Sequence, residues 1–425
     1  MPLSLSRVVG DDADVLADQD FRLLLLASLI SPMGASVVSP VVETLAGPYG
    51  VPPAEVALLL SAFTAPGIVC IPLSGVLADR YGRKPVLAAG LALFGLAGVA
   101  LTLTTDFRVA LGLRLLQGVG YTGIGPILIT ATGDLFSGAR ESAAQGVRFT
   151  AVGASLTVFP LLSGVLVAVA WWFPFALYAA ALPVAAAVWL LFDESADLGG
   201  GDDDASTDDD TSGVRALLSL ATRPAVAATL VGRATPGFLW FAFLTYNSIV
   251  VVRLLGGTPG AAGALVAVAS VTSAVATTQT GRITARFGRT APTFASLVVG
   301  AVGLAGLALA PSVPAALLAG VPVGAGFSVA LTLYRSAITG LASDDLRGGL
   351  VSLGESVGRV GSTGAPVAMG AVVTLLTDSL GYAGAVRGVS LAVAVGVVVV
   401  GGALLVVGDH GADDGREAGA TASDD

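Results

Sequence analysis

The stretch GVLADRYGRK, from Gly75 to Lys84, decides the fold because it lies between two long apolar segments. It combines two glycines and an acid with Arg80, Arg83 and the only lysine of the chain. This pattern predicts a tight turn between two membrane-crossing helices, since Gly75 and Gly82 permit close approach of backbones or a positive φ angle. An acid in such a turn can cap a neighbouring helix N-terminus. The basic residues favour a cytoplasmic position for the turn.

The overall composition supports a polytopic membrane protein. Hydrophobic residues make up 54% of the 425 positions and charged residues 12%, and the mean hydropathy is +0.85. This composition excludes a soluble enzyme. Cys70 is the only cysteine and His410 the only histidine, so the sequence predicts no disulfide, no cysteine or histidine metal site and no histidine proton relay. We expect no cofactor and no nucleic-acid partner.

Hydrophobic runs of about twenty residues predict the membrane spans, because a helix of that length crosses the hydrocarbon core. Only helices satisfy so many backbone groups in lipid without closing a barrel. The runs predict twelve spans, at 21–45, 53–76, 85–105, 108–133, 143–168, 172–192, 222–252, 260–281, 290–310, 314–340, 347–376 and 382–407.

The distribution of basic residues predicts the orientation of these spans. If the N-terminus is cytoplasmic, most arginines outside the spans fall in inside loops and tails, and the outside loops hold only Arg108, Arg253 and Arg387. The positive-inside rule then places both termini in the cytoplasm. We expect a multi-pass protein of the plasma membrane, surrounded by the lipid bilayer and monomeric.

Acidic segments divide the chain into domains. We predict an acidic cytoplasmic tail at 1–20, a six-helix bundle at 21–192, a disordered acidic linker at 193–221, a second six-helix bundle at 222–407 and an acidic tail at 408–425. The aspartate runs of the linker are typical of solvated surface rather than of a cation site. Together with the single lysine, they suggest adaptation to high salt.

The two halves repeat one another. GVLADRYGRK has a degenerate copy, GRITARFGRT, that begins at Gly281, an offset of 206 residues. Arg140, Pro160 and Gly164 are matched by Arg347, Pro366 and Gly370 at offsets of 206 or 207. This duplication predicts a substrate site near mid-membrane, where two related bundles meet.

The quoted stretch resembles the signature G-x-L-x-D-R-x-G-R-K of the major facilitator superfamily of secondary transporters. The resemblance implies an all-α integral membrane fold with twelve transmembrane helices in two pseudo-symmetric six-helix bundles. It also implies a conformational latch, in which Asp79 faces the start of the eleventh span near Arg347 and Arg83 pairs with Asp134. The alternative is a loop that sets topology and has no gating role. The latch residues are Gly75, Asp79, Arg80, Gly82, Arg83, Lys84 and Asp134.

The fourth span resembles a second family signature, R-x-x-Q-G-x-G. Arg114, Gln117 and Tyr121 form a polar stripe along one face of a helix. An arginine inside a span is a functional candidate by default, and the alternative is that Arg114 only ties helix carbonyls together. In the fifth span, Pro160 and Gly164 keep part of an antiporter pattern, and the proline predicts a kink.

Glu355, in the eleventh span, is the candidate coupling site. We place no other carboxylate well inside a span. Arg359 follows four residues later, the favourable order for an ion pair on one helix. Because burial disfavours the carboxylate and a nearby guanidinium favours it, this group could load and release a proton. A static intrahelical ion pair is the alternative.

The seventh span carries an aromatic cluster. Trp240, Phe243 and Asn247 share one face and predict an apolar pocket with one polar handle, or an interfacial aromatic belt. Further candidates inside spans are Gln279 and the cations Arg148, Arg233 and Arg335, of which Arg335 lies near enough to the cytoplasmic face to snorkel.

The leading hypothesis is a secondary transporter that works by alternating access and exports a small, drug-like molecule, coupled to protons. The alternative is uptake of a small solute, anionic if the excess of arginine over glutamate in the spans reaches the cavity. A membrane sensor or scaffold would need a sizeable soluble domain or a docking surface, whereas this sequence shows only short acidic tails. A membrane enzyme would need a cluster of catalytic side chains, and no P-loop pattern indicates ATP drive.

Overall fold

The computed structural model describes residues 15–193, 215–341 and 344–421. This part of the chain is almost entirely helical and contains no β-strand. The predicted linker and N-terminal tail lie largely outside it. Its helices are α1 (Gln19–Tyr49), α2 (Pro53–Tyr81), α3 (Arg83–Leu103), α4 (Phe107–Thr122 and Gly125–Leu135), α5 (Gly138–Leu166), α6 (Phe173–Leu191), α7 (Pro224–Leu254), α8 (Pro259–Phe287), α9 (Thr290–Ala308), α10 (Val313–Thr339), α11 (344–380) and α12 (from 382).

Ten helical stretches of the described chain are long and apolar enough to cross a membrane. The number rises to twelve for two reasons. The halves of α4, separated after Thr122, are each shorter than one span. In addition, α11 and α12 run as one stretch that bends at Gly381, whose φ is 69°. The predicted all-α fold of twelve membrane helices is therefore confirmed.

Several helices are longer at their predicted cytoplasmic ends than the apolar runs. α2 continues to Tyr81 and α8 to Phe287, whereas the runs end at 76 and 281. α5 begins at Gly138 rather than at 143. Alanine and arginine in these extensions favour helix. Hydropathy therefore predicts the limits of the apolar segment but not the ends of the helix.

Helix α7 is interrupted at Arg233, between segments Pro224–Gly232 and Ala234–Ser248. Pro236 causes the break, because it lacks the N–H that would bond to the carbonyl four residues earlier. That carbonyl belongs to Gly232, and the hydroxyl of Thr235 donates to it at 2.7 Å. The break is thus stabilised locally, and it places Arg233 at the junction of two helical segments.

The chain divides into two compact units. The first comprises residues 1–203 with 258–267, and the second comprises 204–257 with 268–425. The start of α8 belongs to the first unit because it packs against α5. A Cβ atom at Gly164 would lie 2.9 Å from the Cα of Gly260, and one at Gly263 would lie 2.9 Å from the carbonyl carbon of Pro160. Pro160 and Gly164 therefore line a close helix contact.

Turn glycines repeat in both halves. Gly50 and Gly256 have φ angles of 64° and 67°, and Gly82 and Gly288 have φ angles of 94° and 72°. Both pairs are separated by 206 residues, the offset of the sequence repeat. Since an L-residue rarely adopts positive φ, these positions require glycine.

A small apolar cluster also repeats with the same offset. In the first half, Val15 and Phe21 pack with Phe136 and Ala144, and Leu135 and Val147 lie beside them. In the second half, Leu217 and Leu220 pack against a cluster that contains Ile338 and Leu350, beside Leu341 and Leu353. Leu135, Ala144 and Val147 precede Leu341, Leu350 and Leu353 by 206 residues each. The duplication therefore extends to the packing of these two apolar clusters.

Candidate functional site

The signature stretch forms the sharpest of these turns. Only Gly82 separates α2, which ends at Tyr81, from α3, which begins at Arg83. Gly75, Asp79 and Arg80 were expected in the turn, but they lie on α2. A Cβ at Gly75 would meet no atom within 4 Å, so the expected close approach of backbones at that glycine is wrong. The expectation of a positive φ is correct for Gly82.

An ionic cluster surrounds this turn. Arg83 donates from Nε to Oδ2 of Asp134 at 3.1 Å, which is the predicted ion pair, and from Nη1 to Oδ1 of Asp79. Asp79 is exposed and pairs with Arg83 one turn later, whereas α3 has no side-chain cap. Asp79 therefore does not cap the following helix. Its predicted contact with the start of the eleventh span stays a prediction.

Arg80 and Lys84 flank the cluster. The Arg80 guanidinium lies 5.6 Å from the ring centroid of Tyr81. Lys84, in the first turn of α3, interacts electrostatically with Asp20 at the start of α1. The turn thus carries charges that pair with α2 and α4 and interact electrostatically with α1, so a change in the position of any of these helices would alter their interactions.

Arg114 is buried at the centre of the first unit, where its side chain is fully inaccessible to solvent. Its Nε donates to the carbonyl oxygen of Leu59 at 3.0 Å and its Nη2 to that of Gly34 at 2.6 Å. Its Nη1 donates to Oε1 of Gln117 at 2.5 Å and to the hydroxyl oxygen of Tyr178 at 3.2 Å. The guanidinium therefore ties α1, α2, α4 and α6 together.

Neutral groups complete the surroundings of Arg114. The guanidinium lies 4.7 Å from the ring centroid of Phe63, and among the described side chains no carboxylate pairs with it. The ring of Tyr121 packs edge-on against Phe63, with centroids 5.2 Å apart. These contacts agree with the alternative interpretation, in which Arg114 only ties helix carbonyls together.

A second charged centre lies inside the second unit. Glu355 of α11 accepts hydrogen bonds at 3.2 Å from Nη2 of Arg233 and at 2.7 Å from Nε of Arg335. The side chains of Arg233, Glu355 and Arg335 are 7%, 23% and 49% exposed. α7, α10 and α11 thus meet in one ionic cluster at the break in α7.

The expected pair of Glu355 with Arg359 needs correction. The hydrogen-bonded partners of the carboxylate come from two other helices, and Arg359 adds an electrostatic interaction from the next turn of α11. Arg335 was expected to snorkel, but it turns its guanidinium to Glu355. The sequence distance between α7, α10 and α11 hid these contacts, because periodicity identifies only neighbours on one helix.

Glycines on α11 make room for the break in α7. A Cβ atom at Gly358 would lie 2.7 Å from Nη1 and 2.9 Å from Cζ of the Arg233 guanidinium. A Cβ at Gly361 would overlap the carbonyl oxygen of Ala234. These glycines therefore position Arg233 against Glu355.

The aromatic cluster of α7 faces protein and not lipid. Trp240 stacks on Phe327 of α10, with centroids 4.5 Å apart and an interplanar angle of 15°, and it also contacts Phe243. Both α7 side chains are buried, so the belt interpretation is wrong. Asn247 is fully buried and donates to the carbonyl oxygens of Phe243 and Leu244. The pocket interpretation stays a prediction.

Helix α7 widens just after Asn247 into a π-helix, Ile249–Leu254. Such segments are rare and occur often at functional sites. Of the weaker candidates, Arg148 is buried, bonds to Gln145 and lies over Phe149. Gln279 is exposed and bonds to Thr278 and Arg282.

The sequence analysis missed two residues. Tyr178 in α6 is a partner of Arg114, and its isolated hydroxyl in an apolar span was the available signal. Glu43 lies in the C-terminal part of α1 and has one carboxylate oxygen shielded from solvent. Glu355 is therefore not the only carboxylate inside a membrane helix of the described chain.

The fold defines a polytopic helical membrane protein, and each of its two units contains an arginine-centred cluster. The family model of the Major Facilitator Superfamily matches residues 24–254, more than half of the chain. The chain belongs to this superfamily.

The individual relatives are similar over only part of the chain. The chain is 27% identical over 154 residues to the bacillibactin exporter of Bacillus subtilis, across 35% of this chain and 38% of the relative. It is 37% identical over 68 residues to the multidrug transporter MdfA of Yersinia pestis, across 16% of this chain and 17% of that protein. Each match therefore spans well under half of the relative's length.

Solved structures resemble the whole chain. A bacterial homologue of the human lysosomal transporter Spinster has a TM-score of 0.78 at 17% identity, across 93% of this chain and 97% of that one. A D-xylose-proton symporter has a TM-score of 0.69 at 14% identity, across 89% of this chain and 96% of that one. At such identities, these similarities establish the fold alone.

Proposed function

We propose that the protein exports a small, drug-like molecule in exchange for protons and works by alternating access. The observation that carries the proposal is the partly buried carboxylate of Glu355, held by Arg233 and Arg335 from two other helices. The match to an exporter and to a multidrug transporter supports the direction.

The geometry of the cluster suggests how proton uptake is coupled to movement. Guanidinium groups beside Glu355 stabilise its ionised form. The carboxyl group gains a proton most readily when Arg233 or Arg335 withdraws, because it is then buried without its counter-charge. The break in α7 gives Arg233 a place to move. Proton binding and helix movement would therefore depend on each other.

The turn at Gly82 supplies a second movable contact. Arg83 is shared between Asp79 and Asp134, and such partly exposed ion pairs exchange partners at little cost in free energy. We infer that this cluster acts as the cytoplasmic latch, with Asp79 as its exposed end.

An anionic solute is the second candidate substrate, and uptake is the second candidate direction. The observation that favours an anionic substrate is the charge of the second centre, where Arg233, Arg335 and Arg359 interact with one glutamate. An excess of guanidinium groups attracts carboxylate or phosphate groups.

Vesicle transport tests the function. Everted and right-side-out vesicles with the protein, and empty-vector controls, are energised by an acidic lumen or exterior and offered ethidium, norfloxacin or salicylate. We expect everted vesicles to accumulate at least one probe and nigericin to abolish the accumulation. Accumulation confined to right-side-out vesicles supports uptake, and accumulation of salicylate alone supports the anionic substrate. Absence of protein-dependent movement of all three probes contradicts the proposal.

A further inference from the structure

A deep apolar groove lies between α7, α11 and α12 of the second unit. Its volume is about 440 Å³. Its walls are small or branched apolar side chains with one aromatic ring, among them Val231, Phe238, Met369, Val393, Gly396 and Val400. The charged residues of the second centre do not line the groove. Its lining includes Ala234 and Thr235, which follow Arg233 in the chain.

The groove offers an occupant almost no polar group. Thr235 carries the only hydroxyl among the residues that line it, and this hydroxyl already donates to the carbonyl oxygen of Gly232 at 2.7 Å. A site for a polar solute places several hydrogen-bonding groups around the ligand. The chemistry of this groove therefore selects a purely hydrocarbon occupant.

The groove lies at the depth of the lipid tails. On α12 its lining runs from Val389 to Val400, which is about 16 Å along the helix axis at 1.5 Å per residue. Measured along the helix axis, Val389 lies about 10 Å from residue 382, where α12 begins, and Val400 lies about 13 Å from Asp409. Since the hydrocarbon core is about 30 Å thick, no lipid headgroup reaches the groove.

The groove opens onto the apolar outer surface of the second unit. Val231, Val372 and Val400 at its edge are each about half-exposed, and Val395 and Val399 beside it on α12 are exposed. In a membrane helix, exposed apolar side chains face lipid tails. The groove is thus continuous with the lipid-facing surface, and leaving it empty would forfeit dispersion contacts along its walls.

We propose that this groove binds one acyl chain of a bilayer phospholipid. A flexible, unbranched chain fits a cleft between valine, alanine and glycine, and it can enter sideways from the bilayer. The bound chain lies against Ala234 and Thr235 and so supports the break in α7 that presents Arg233 to Glu355. The binding itself does not depend on the proposed transport function.

Photolabelling in nanodiscs tests the proposal. The full-length protein is reconstituted in phosphatidylcholine that contains a small fraction of lipid with a diazirine within one acyl chain, and adducts are mapped by mass spectrometry. We expect adducts to concentrate on residues 231–238 and 389–400. Replacing the headgroup by phosphatidylglycerol leaves this pattern unchanged, because no headgroup contacts the groove.

Two variants on α12 make the test specific. A Cβ atom at Gly396 meets no atom within 4 Å, so a larger side chain can start there and extend into the groove. We expect Gly396→Phe to lower labelling there at least about fivefold by steric exclusion. Val399→Phe, at an exposed position outside the lining, should leave labelling unchanged. If Gly396→Phe fails to reach the membrane, Ala392→Leu provides a smaller filling of the same groove.

Two results would overturn the proposal. One is labelling spread evenly over the exposed apolar positions and equal in the Gly396→Phe and Val399→Phe variants. The other is efficient disulfide crosslinking between copies of a Cys70→Ser, Gly396→Cys variant in nanodiscs at high dilution, which would identify a second copy of the chain as the occupant.

Discussion

Two buried guanidinium groups, one in each unit, have different surroundings. Arg114 is held by two backbone carbonyls, an amide and a phenol. Arg233 is held by the carboxylate of Glu355, which it shares with Arg335. Neutral partners carry no charge that could be lost, whereas a carboxylate loses its charge when it binds a proton. We therefore propose a fixed tie at Arg114 in the first unit and a switchable contact at Arg233 in the second.

Backbone geometry reinforces this difference. Arg114 lies within a continuous helical segment, Phe107–Thr122. Arg233 lies where α7 is interrupted between two segments. Because Pro236 removes one backbone hydrogen bond there, the second centre combines an ionisable partner with an interrupted helix.

Truncation of the fixed tie should have the largest effect. Arg114→Ala leaves the carbonyls of Gly34 and Leu59 and the side chains of Gln117 and Tyr178 without their shared donor. We expect a loss of about 3 kcal/mol or more in the free energy of unfolding, because buried polar groups are costly when unpaired. Thermal unfolding in detergent and the yield of folded protein measure the loss.

Arg335→Ala is the matched control in the second unit. Its guanidinium is half-exposed, and Glu355 keeps its bond to Arg233, so the loss should stay below about 1 kcal/mol. Equal destabilisation by the two variants would remove the distinction between a structural and a switchable arginine.

Substitutions at the turn glycines test what the two halves share. Gly82→Ala and Gly288→Ala should each cost about 1–2 kcal/mol, because alanine is strained at the positive φ of both positions. Gly75→Ala is the control: it lies on α2 in open space, and alanine favours helix by up to about 1 kcal/mol. Urea or thermal unfolding of the three variants should therefore separate Gly75 from the other two. Equal losses at all three positions would contradict the assignment of Gly75 to the helix.

The smallest effect on stability is expected at the latch. Asp134→Asn removes one partner of Arg83, which keeps its bond to Asp79. The free energy of unfolding should fall by less than about 1 kcal/mol, while transport of a probe in vesicles should slow several-fold. Transport at the rate of the unaltered protein would favour a loop that only sets topology.

The fold was largely predictable from local sequence signals. Apolar runs marked the spans, and the offset between the stretches at Gly75 and Gly281 indicated the duplication. The pair of Arg83 with Asp134 followed from the family resemblance. These features depend on length, composition and a specific motif, which a single sequence displays directly.

The charged centres were only partly predictable. Helical periodicity suggested that Glu355 pairs with Arg359, but tertiary packing brings Arg233 and Arg335 to the carboxylate from α7 and α10. Periodicity likewise grouped Tyr121 with Arg114 and could not reveal Tyr178 on α6. Contacts between helices depend on how their faces pack, and that information is not contained in one helix.

The most direct test of a switchable second centre compares two modes of transport in proteoliposomes that contain Glu355→Gln. The probe is whichever of ethidium, norfloxacin or salicylate the unaltered protein moves. We predict that exchange of the probe down its own gradient is retained, while accumulation driven by a proton gradient falls at least about tenfold, a change of 1.4 kcal/mol or more. Undiminished proton-driven accumulation by Glu355→Gln would contradict the account.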